Sequence, residues 1–190
     1  MSDTDEQPGG LAYTDNISVS WRPVHHELDQ THLAMVNASN EAFLRDVNVI
    51  SDTSAQKDAP DTAISQELLR LDLKLNLVLD LVSTLVYHEL DIPQTSAVRL
   101  TSDTVAWSRA SADEVPEPGS TVYLELYIQR GLPKPLCCYG KVITAPEAFA
   151  QGRAEVRFSG LTGAARAWLE KLIFRHHRRE IAYRRSSGEE

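Results

Sequence analysis

Six histidines and two cysteines hold the strongest metal-binding chemistry in this 190-residue chain, and their spacing works against it. His25-His26 and His176-His177 are adjacent pairs, with His32 near the first. Neighbours on a helix point about 100° apart, so neither pair is a ready chelate. Cys137 and Cys138 are adjacent too, and in a strand they face opposite ways, a poor geometry for a bridge or a shared metal. They are expected to be reduced, structural thiols. No cysteine or carboxylate spacing matches a zinc site, so no metal is expected. Nucleophilic catalysis would need a nucleophile with a base, yet the sequence shows no serine elbow, no Gly-rich phosphate loop and no His–carboxylate pair. Carboxylates are abundant, but nothing singles out two of them. No catalytic residue is assigned, and the chain is expected not to be an enzyme. One basic run remains, Arg175-His-His-Arg-Arg179. It is either a solvated helix face or a contact for a phosphate or an acidic partner, with Arg175, Arg178 and Arg179 as the contacting residues.

The formal charge of −8 conceals an asymmetry. Arg166 to Glu190 holds seven basic residues against four acidic ones, leaving twelve against twenty-three before it. An acidic body with a locally basic tail argues against binding a nucleic acid polymer. No apolar run reaches the roughly 20 residues that span a bilayer, because Asp72, Lys74, Asn76 and Asp80 interrupt the most hydrophobic segment. No membrane insertion is expected. The opening residues MSDTDEQPGG lack a basic region and an apolar region of a secretory signal, so a cytoplasmic location is expected.

The elements that would position any site are dominated by one pattern. Apolar residues recur at Ile64, Leu68, Leu71, Leu75, Val78, Val82 and Leu85, spaced alternately by four and three. That period of 3.5 keeps one stripe facing a partner only if the helix supercoils left-handed. With Leu68, Leu75 and Val82 at a and the others at d, Leu predominates at a and Val78 and Leu71 fill the inner d sites. This mixture leans away from a parallel dimer toward a trimer or tetramer. Leu79, Leu81 and Val86 at the flanking e and g positions widen the face beyond what one partner covers, which favours a tetramer, with a trimer as nearest competitor. Helix orientation is left open. The competing reading is a long core helix of one chain, with Leu69, Leu73 and Leu77 contacting the rest of that chain. Asp61 or Thr62 can cap the start and Pro93 sets the end, so the helix is expected over about 61–91.

Residues 1 to about 15 are polar and Gly/Pro-bearing and are expected to form a disordered arm. Ile17 to Trp21 alternates as a half-buried strand that Arg22-Pro23 ends. Glu27 to Val47 carries near-helical apolar spacing, weakened at Asn37, Ser39 and Asn40, which fits one helix or two. Ser51 to Pro60 is expected to be a linker. After Pro93 come short strands at Ala97–Leu100, Val105–Trp107, Val122–Ile128, Leu136–Ile143 and Ala154–Phe158, spaced as in a small antiparallel barrel. A closing helix starts after Thr162-Gly163. The expected fold is α+β, a single domain over 16–190 with residues 27–92 as a helical insertion.

The fragments VRLTSDTVAW, VYLELYI, CCYGKVI and EVRFSGLTGAARAWLEKLIFRHHRRE, in this order, resemble the strands and closing helix of the PilZ domain. The strand around Ile17–Trp21 would be the barrel's first, and the inserted heptad helix is similar to that of atypical tetrameric PilZ proteins of xanthomonads. The resemblance implies a bacterial origin and a signalling or type IV pilus pathway. It also implies a place to look for cyclic di-GMP, which the family binds with an Arg-x-x-x-Arg segment before the barrel and an Asp/Asn-x-Ser-x-x-Gly turn. Here the turn aligns with Arg99-Leu-Thr-Ser-Asp-Thr104, putting Arg99 at the acidic position, Thr101 at the serine and Thr104 at the glycine. No Arg-x-x-x-Arg precedes the barrel; Arg22 and Arg45 are the arginines of the first fifty residues. Each lost charge-assisted contact forfeits about 1.5–3 kcal/mol. The expectation is therefore a protein without ordinary nucleotide binding, which self-assembles and acts through an unidentified protein partner. The alternative is a receptor whose site is rebuilt from Arg22, Arg99 and the tail arginines.

Overall fold

A computed structural model describes residues 11–26, 29–53, 63–90, 92–129 and 132–186. Its barrel closes around β1 (Tyr13–Pro23), whose first half pairs antiparallel with β2 (Thr95–Leu100) and whose second half pairs with β4 (Thr121–Tyr127). Ser18 is the changeover, opposite both Thr95 and Tyr127. With β3 (Thr104–Ser108), β5 (Leu136–Val142) and β6 (Arg153–Ser159), the strands close in the order β1-β2-β3-β6-β5-β4. Alternation along each strand sends Val19, Leu100, Val105, Leu124, Leu126 and Val156 into the interior, where all are fully buried. Each is worth about 1.5–3 kcal/mol against leaving it wet. Gly140 lets β5 and β6 approach, since a Cβ there would lie 2.8 Å from the Arg157 carbonyl oxygen.

The described residues also form four α-helices: α1 (Gln30–Thr53), α2 (Ala63–Glu89), the short α3 (Pro146–Ala150) and α4 (Gly163–Ser186). α1 and α2 both lie between β1 and β2 in the chain. Asp29 caps α1 by accepting from the amides of Thr31 at 3.1 Å and His32 at 3.4 Å. Thr162 caps α4, its hydroxyl accepting from the Ala165 amide at 3.1 Å while donating to Glu41 of α1 at 2.7 Å. α4 closes the barrel with Ala165, Leu169, Leu172 and Ile173, and α1 packs Phe43, Leu44 and Val47 into the same core.

Three buried asparagines fix α1 in place. The Asn40 amide donates to the Cys137 carbonyl at 2.6 Å and accepts from its N–H at 3.0 Å, standing in for a neighbouring strand where β5 runs beyond its pairing with β6. Asn37 donates to Gly160 at 2.8 Å and accepts from the Thr162 amide at 3.1 Å. Asn48 donates to the carbonyl of Leu44 at 2.7 Å and to that of Trp168 at 3.3 Å. Gly160 sits at φ +75°, and a Cβ there would come within 2.7 Å of Leu33 on α1. Only glycine accepts that backbone at so close an approach.

Several boundaries differ from the sequence expectation. β1 begins at Tyr13 rather than Ile17, because Tyr13 is buried and its hydroxyl donates to the Ile128 carbonyl at 3.4 Å; the rest of the expected arm, residues 1–10, lies outside the described residues. α1 is one helix and runs on to Thr53, into the expected linker, whose remaining residues also lie outside. The Asp61 and Thr62 caps fall outside as well. The single turn of 3-10 helix at Ala112–Glu114 and α3 are too short to show a period.

Candidate functional site

The turn between β2 and β3 is closed upon itself. The Thr101 hydroxyl accepts from the amides of Thr104 at 2.9 Å and Asp103 at 3.2 Å, and lies 3.1 Å from the Thr104 hydroxyl. The hydroxyl that survives at the serine position is thereby used within the turn. Among the described residues no non-glycine residue has positive φ, so Thr104 completes this turn without the backbone freedom of a glycine. Next to it, Arg166 of α4 forms an ion pair with Asp103 and donates to the Ser102 carbonyl at 3.2 Å. This guanidinium, unlisted by any spacing rule, latches the turn to the closing helix.

The other arginines point elsewhere. Arg99 lies in β2 opposite Thr14 and Ala106, half-buried on the outer surface. Arg22 is exposed near the other end of β1, its guanidinium 4.3 Å from the Tyr123 ring centre. Thr14 and Arg22 are eight residues apart on one strand, or roughly 26 Å at ~3.3 Å per residue. The structure therefore does not bring Arg22 and Arg99 together. Arg175 donates to the Asn48 carbonyl at the α1–α4 contact, and Arg178 lies 5.9 Å from the Phe174 ring. Arg175 and Arg179 together line one hollow with Tyr13, Asp15 and His176. There the His176 ring stacks on Tyr13 at 4.0 Å, and burial pushes its imidazole below the usual histidine range against the opposing pull of Asp15 and Glu180.

The adjacent thiols do face opposite ways. Cys138 lies in the barrel interior and Cys137 is half-buried outside it, its thiol 3.8 Å from the Pro135 carbonyl; burial pushes both thiols up, toward the unreactive neutral form. His32 meets Tyr139 edge-on, and among the described residues no group of three or more His, Cys, Asp or Glu side chains is placed to hold a metal ion.

α2 presents a different kind of site. Leu68, Leu71, Leu75, Val78, Val82 and Leu85 of the heptad stripe are between 48% and 68% exposed; the Ile64 side chain lies outside the described residues. Leu69, Leu73 and Leu77 are exposed as well, so the reading of α2 as a core helix of its own chain is corrected: the described core is filled by strand, α1 and α4 residues, and no side chain of the α2 stripe is among them. No described helix is long and apolar enough to cross a membrane.

Comparison with known proteins agrees with this architecture. A family model described as "Atypical PilZ domain, cyclic di-GMP receptor" matches residues 44–186, and the chain belongs to that family. Among solved structures it is similar to a pathogenic protein from Xanthomonas campestris, described as a new tetrameric PilZ domain self-assembled via an unusual helical bundle. That likeness has 22% identity, covers 95% of each chain and gives a TM-score of 0.68. No curated protein matches.

Proposed function

We propose that this chain is a non-enzymatic PilZ-type signalling scaffold of the bacterial cytoplasm that assembles as a tetramer through α2 and has lost ordinary cyclic di-GMP binding. It works through a protein partner in bacterial signalling or type IV pilus function. The observation that carries the reading is the state of α2, where eleven large apolar side chains from Leu68 to Leu85 stand exposed. Leaving that surface wet is costly, and four copies bury the a, d, e and g positions together. The Xanthomonas campestris protein is described as self-assembling through a helical bundle, which supports the same use of the helix here.

The loss of nucleotide binding rests on the latched turn. Thr101 is satisfied internally, Asp103 sits beside it as a negative charge held by Arg166, and Arg22 lies near the end of β1 while Arg99 lies in β2 beside the start of β1. A phosphodiester would meet a carboxylate instead of paired guanidinium groups. The receptor reading keeps one point in its favour, the wording of the family description. Titration of the purified protein with cyclic di-GMP separates the two. No heat or mobility change up to hundreds of micromolar is expected; saturable binding at micromolar or tighter affinity selects the receptor.

A further inference from the structure

A tetramer built through the seam of α2 leaves part of that helix uncovered. Leu69, Leu73 and Leu77 fall at the b, f and c positions of the heptad, and Leu73 lies about 160–200° around the helix from Leu71 and Leu75 at ~100° per residue. Burying the a, d, e and g positions therefore turns these three leucines, 42–62% exposed in the single chain, toward solvent on every copy. They form one ridge, because residues four apart stack along a helix face. α1 carries a face that matches it. Ala34, Ala38 and Ala42 follow at the same spacing of four and are all exposed, with Met35 and Val49 beside them at 67% and 58%. That face points away from the barrel, since Phe43, Leu44 and Val47 enter the core from the opposite side of the helix. Three residues beyond each row stands an exposed charge, Arg45 after Ala42 and Asp80 after Leu77. Arg45 lies 5.9 Å from the Trp168 ring, and neither charge is ion-paired among the described residues.

We propose that the outer face of α1 in one copy packs parallel on the leucine ridge of α2 in the next, with Ala34 level with Leu69, Ala38 with Leu73, Ala42 with Leu77 and Arg45 with Asp80. Alanines let the helices approach to about 8–10 Å while the leucines fill the space between them. The charges choose the orientation. Both helices space these residues by four, four and three, so the parallel alignment sets Arg45 against Asp80, whereas the antiparallel one puts Arg45 level with Gln66 and Asp80 level with Thr31. The orientation in turn chooses the copy. In the parallel register Ala63 lies six residues below the level of Ala34 and Thr53 nineteen residues above it, so a chain joining the two would have to run back about 38 Å at ~1.5 Å per residue. The ten residue steps from Thr53 to Ala63 reach at most about 36 Å fully extended, before crossing the width of the contact. A chain cannot cover its own ridge this way, and the occupant is a neighbouring copy. Each chain gives one α1 face and offers one α2 ridge, so a ring of four closes with neither left wet. The inference rests on the reading that α2 assembles four chains, and it adds a second contact that the seam does not use.

The test uses the full chain carrying Ala38→Cys together with Leu73→Cys, oxidised and run on a non-reducing gel. Linked chains up to four are expected, with the disulfide between positions 38 and 73 identified by mass spectrometry of the peptides. A second pair, Ala42→Cys with Leu69→Cys, would be joined only by an antiparallel contact and should not link. Charge reversal checks the register without cysteines. Arg45→Asp and Asp80→Arg should each raise the concentration at which the tetramer half-dissociates, about fivefold or more, and the two together should restore it. A link between positions 38 and 73 within one chain would assign the ridge to its own α1 and overturn the proposal. Linkage of positions 42 and 69 would overturn it as well, as would simple addition of the two charge effects. Light scattering on the natural protein separates this contact from the reading beneath it: a tetramer without the 38-to-73 link removes the α1 contact alone, and a monomer removes the assembly role of α2 and this contact together.

Discussion

α1 and α2 follow one another in the chain and are of similar length, 24 and 27 residues, yet they use their apolar residues in opposite ways. α1 has the weaker pattern and is docked: Phe43, Leu44 and Val47 enter the core, and Asn37, Asn40 and Asn48 hold their amides against backbone groups of β5, the β6–α4 turn and α4. α2 has the stronger pattern and its apolar side chains stand in water. The difference teaches that pattern strength measures how much surface a helix must bury, whereas the partner is set by polar groups that match only one neighbour. An amide that completes Cys137's hydrogen bonds fits one place on this molecule; a leucine stripe fits any similar stripe, including another copy of itself.

The comparison breaks most visibly at Leu75. Leu75→Asp puts a charge in the middle of the seam of every copy, where burial without a partner costs several kcal/mol per chain. Light scattering should give about four times the 21.2 kDa chain mass for the natural protein and a smaller species for the variant, with the barrel's circular dichroism intact. A natural protein that stays monomeric at tens of micromolar would remove the assembly role from α2.

Asn40→Ala attacks the docked helix instead. It orphans the Cys137 N–H and carbonyl, each costing about 1–3 kcal/mol when buried. Urea unfolding at fixed protein concentration should show a loss of about 3 kcal/mol while the assembled mass is unchanged. Gly160→Ala should cost about 2 kcal/mol in the same assay, combining a left-handed backbone with contact against Leu33. Arg166→Ala opens the latch between two partly solvated groups, so stability should fall by about 1 kcal/mol or less. The smallest effect expected is none. Arg99→Asp combined with Thr104→Gly restores those two positions of the family turn, yet calorimetry should still detect no cyclic di-GMP binding, because the sequence has no Arg-x-x-x-Arg segment before the barrel. Micromolar affinity in the double variant would show that the scaffold alone suffices.

Much of the barrel was legible because inward-facing residues alternate locally: Val122, Leu124 and Leu126 identify β4 without knowledge of its neighbours. The start of β1 was hidden, since Tyr13-Thr-Asp-Asn16 reads as polar and becomes strand by pairing with Ala97 to Leu100, far along the chain. The asparagines of α1 looked like weak points for the same reason. Their partners, Cys137, Gly160 and Trp168, lie about a hundred residues away and leave no local mark. Within the candidate site, Thr101 and Thr104 were found by their place in a family motif, and the structure adds that their hydroxyls bond to the turn itself. Arg166 carries no such signal, because its tie to Asp103 crosses from a helix to a distant turn.

The changeover at Ser18 has a consequence for how the molecule is made. β1 leaves the ribosome first, but its partners β2 and β4 are separated from it by α1 and α2, so the barrel cannot begin to close until both helices have been synthesised. Against a ten-residue hairpin, bringing Thr95 back to Ser18 costs about 2 kcal/mol more in loop-closure entropy. The leucine stripe of α2 therefore emerges before any barrel exists.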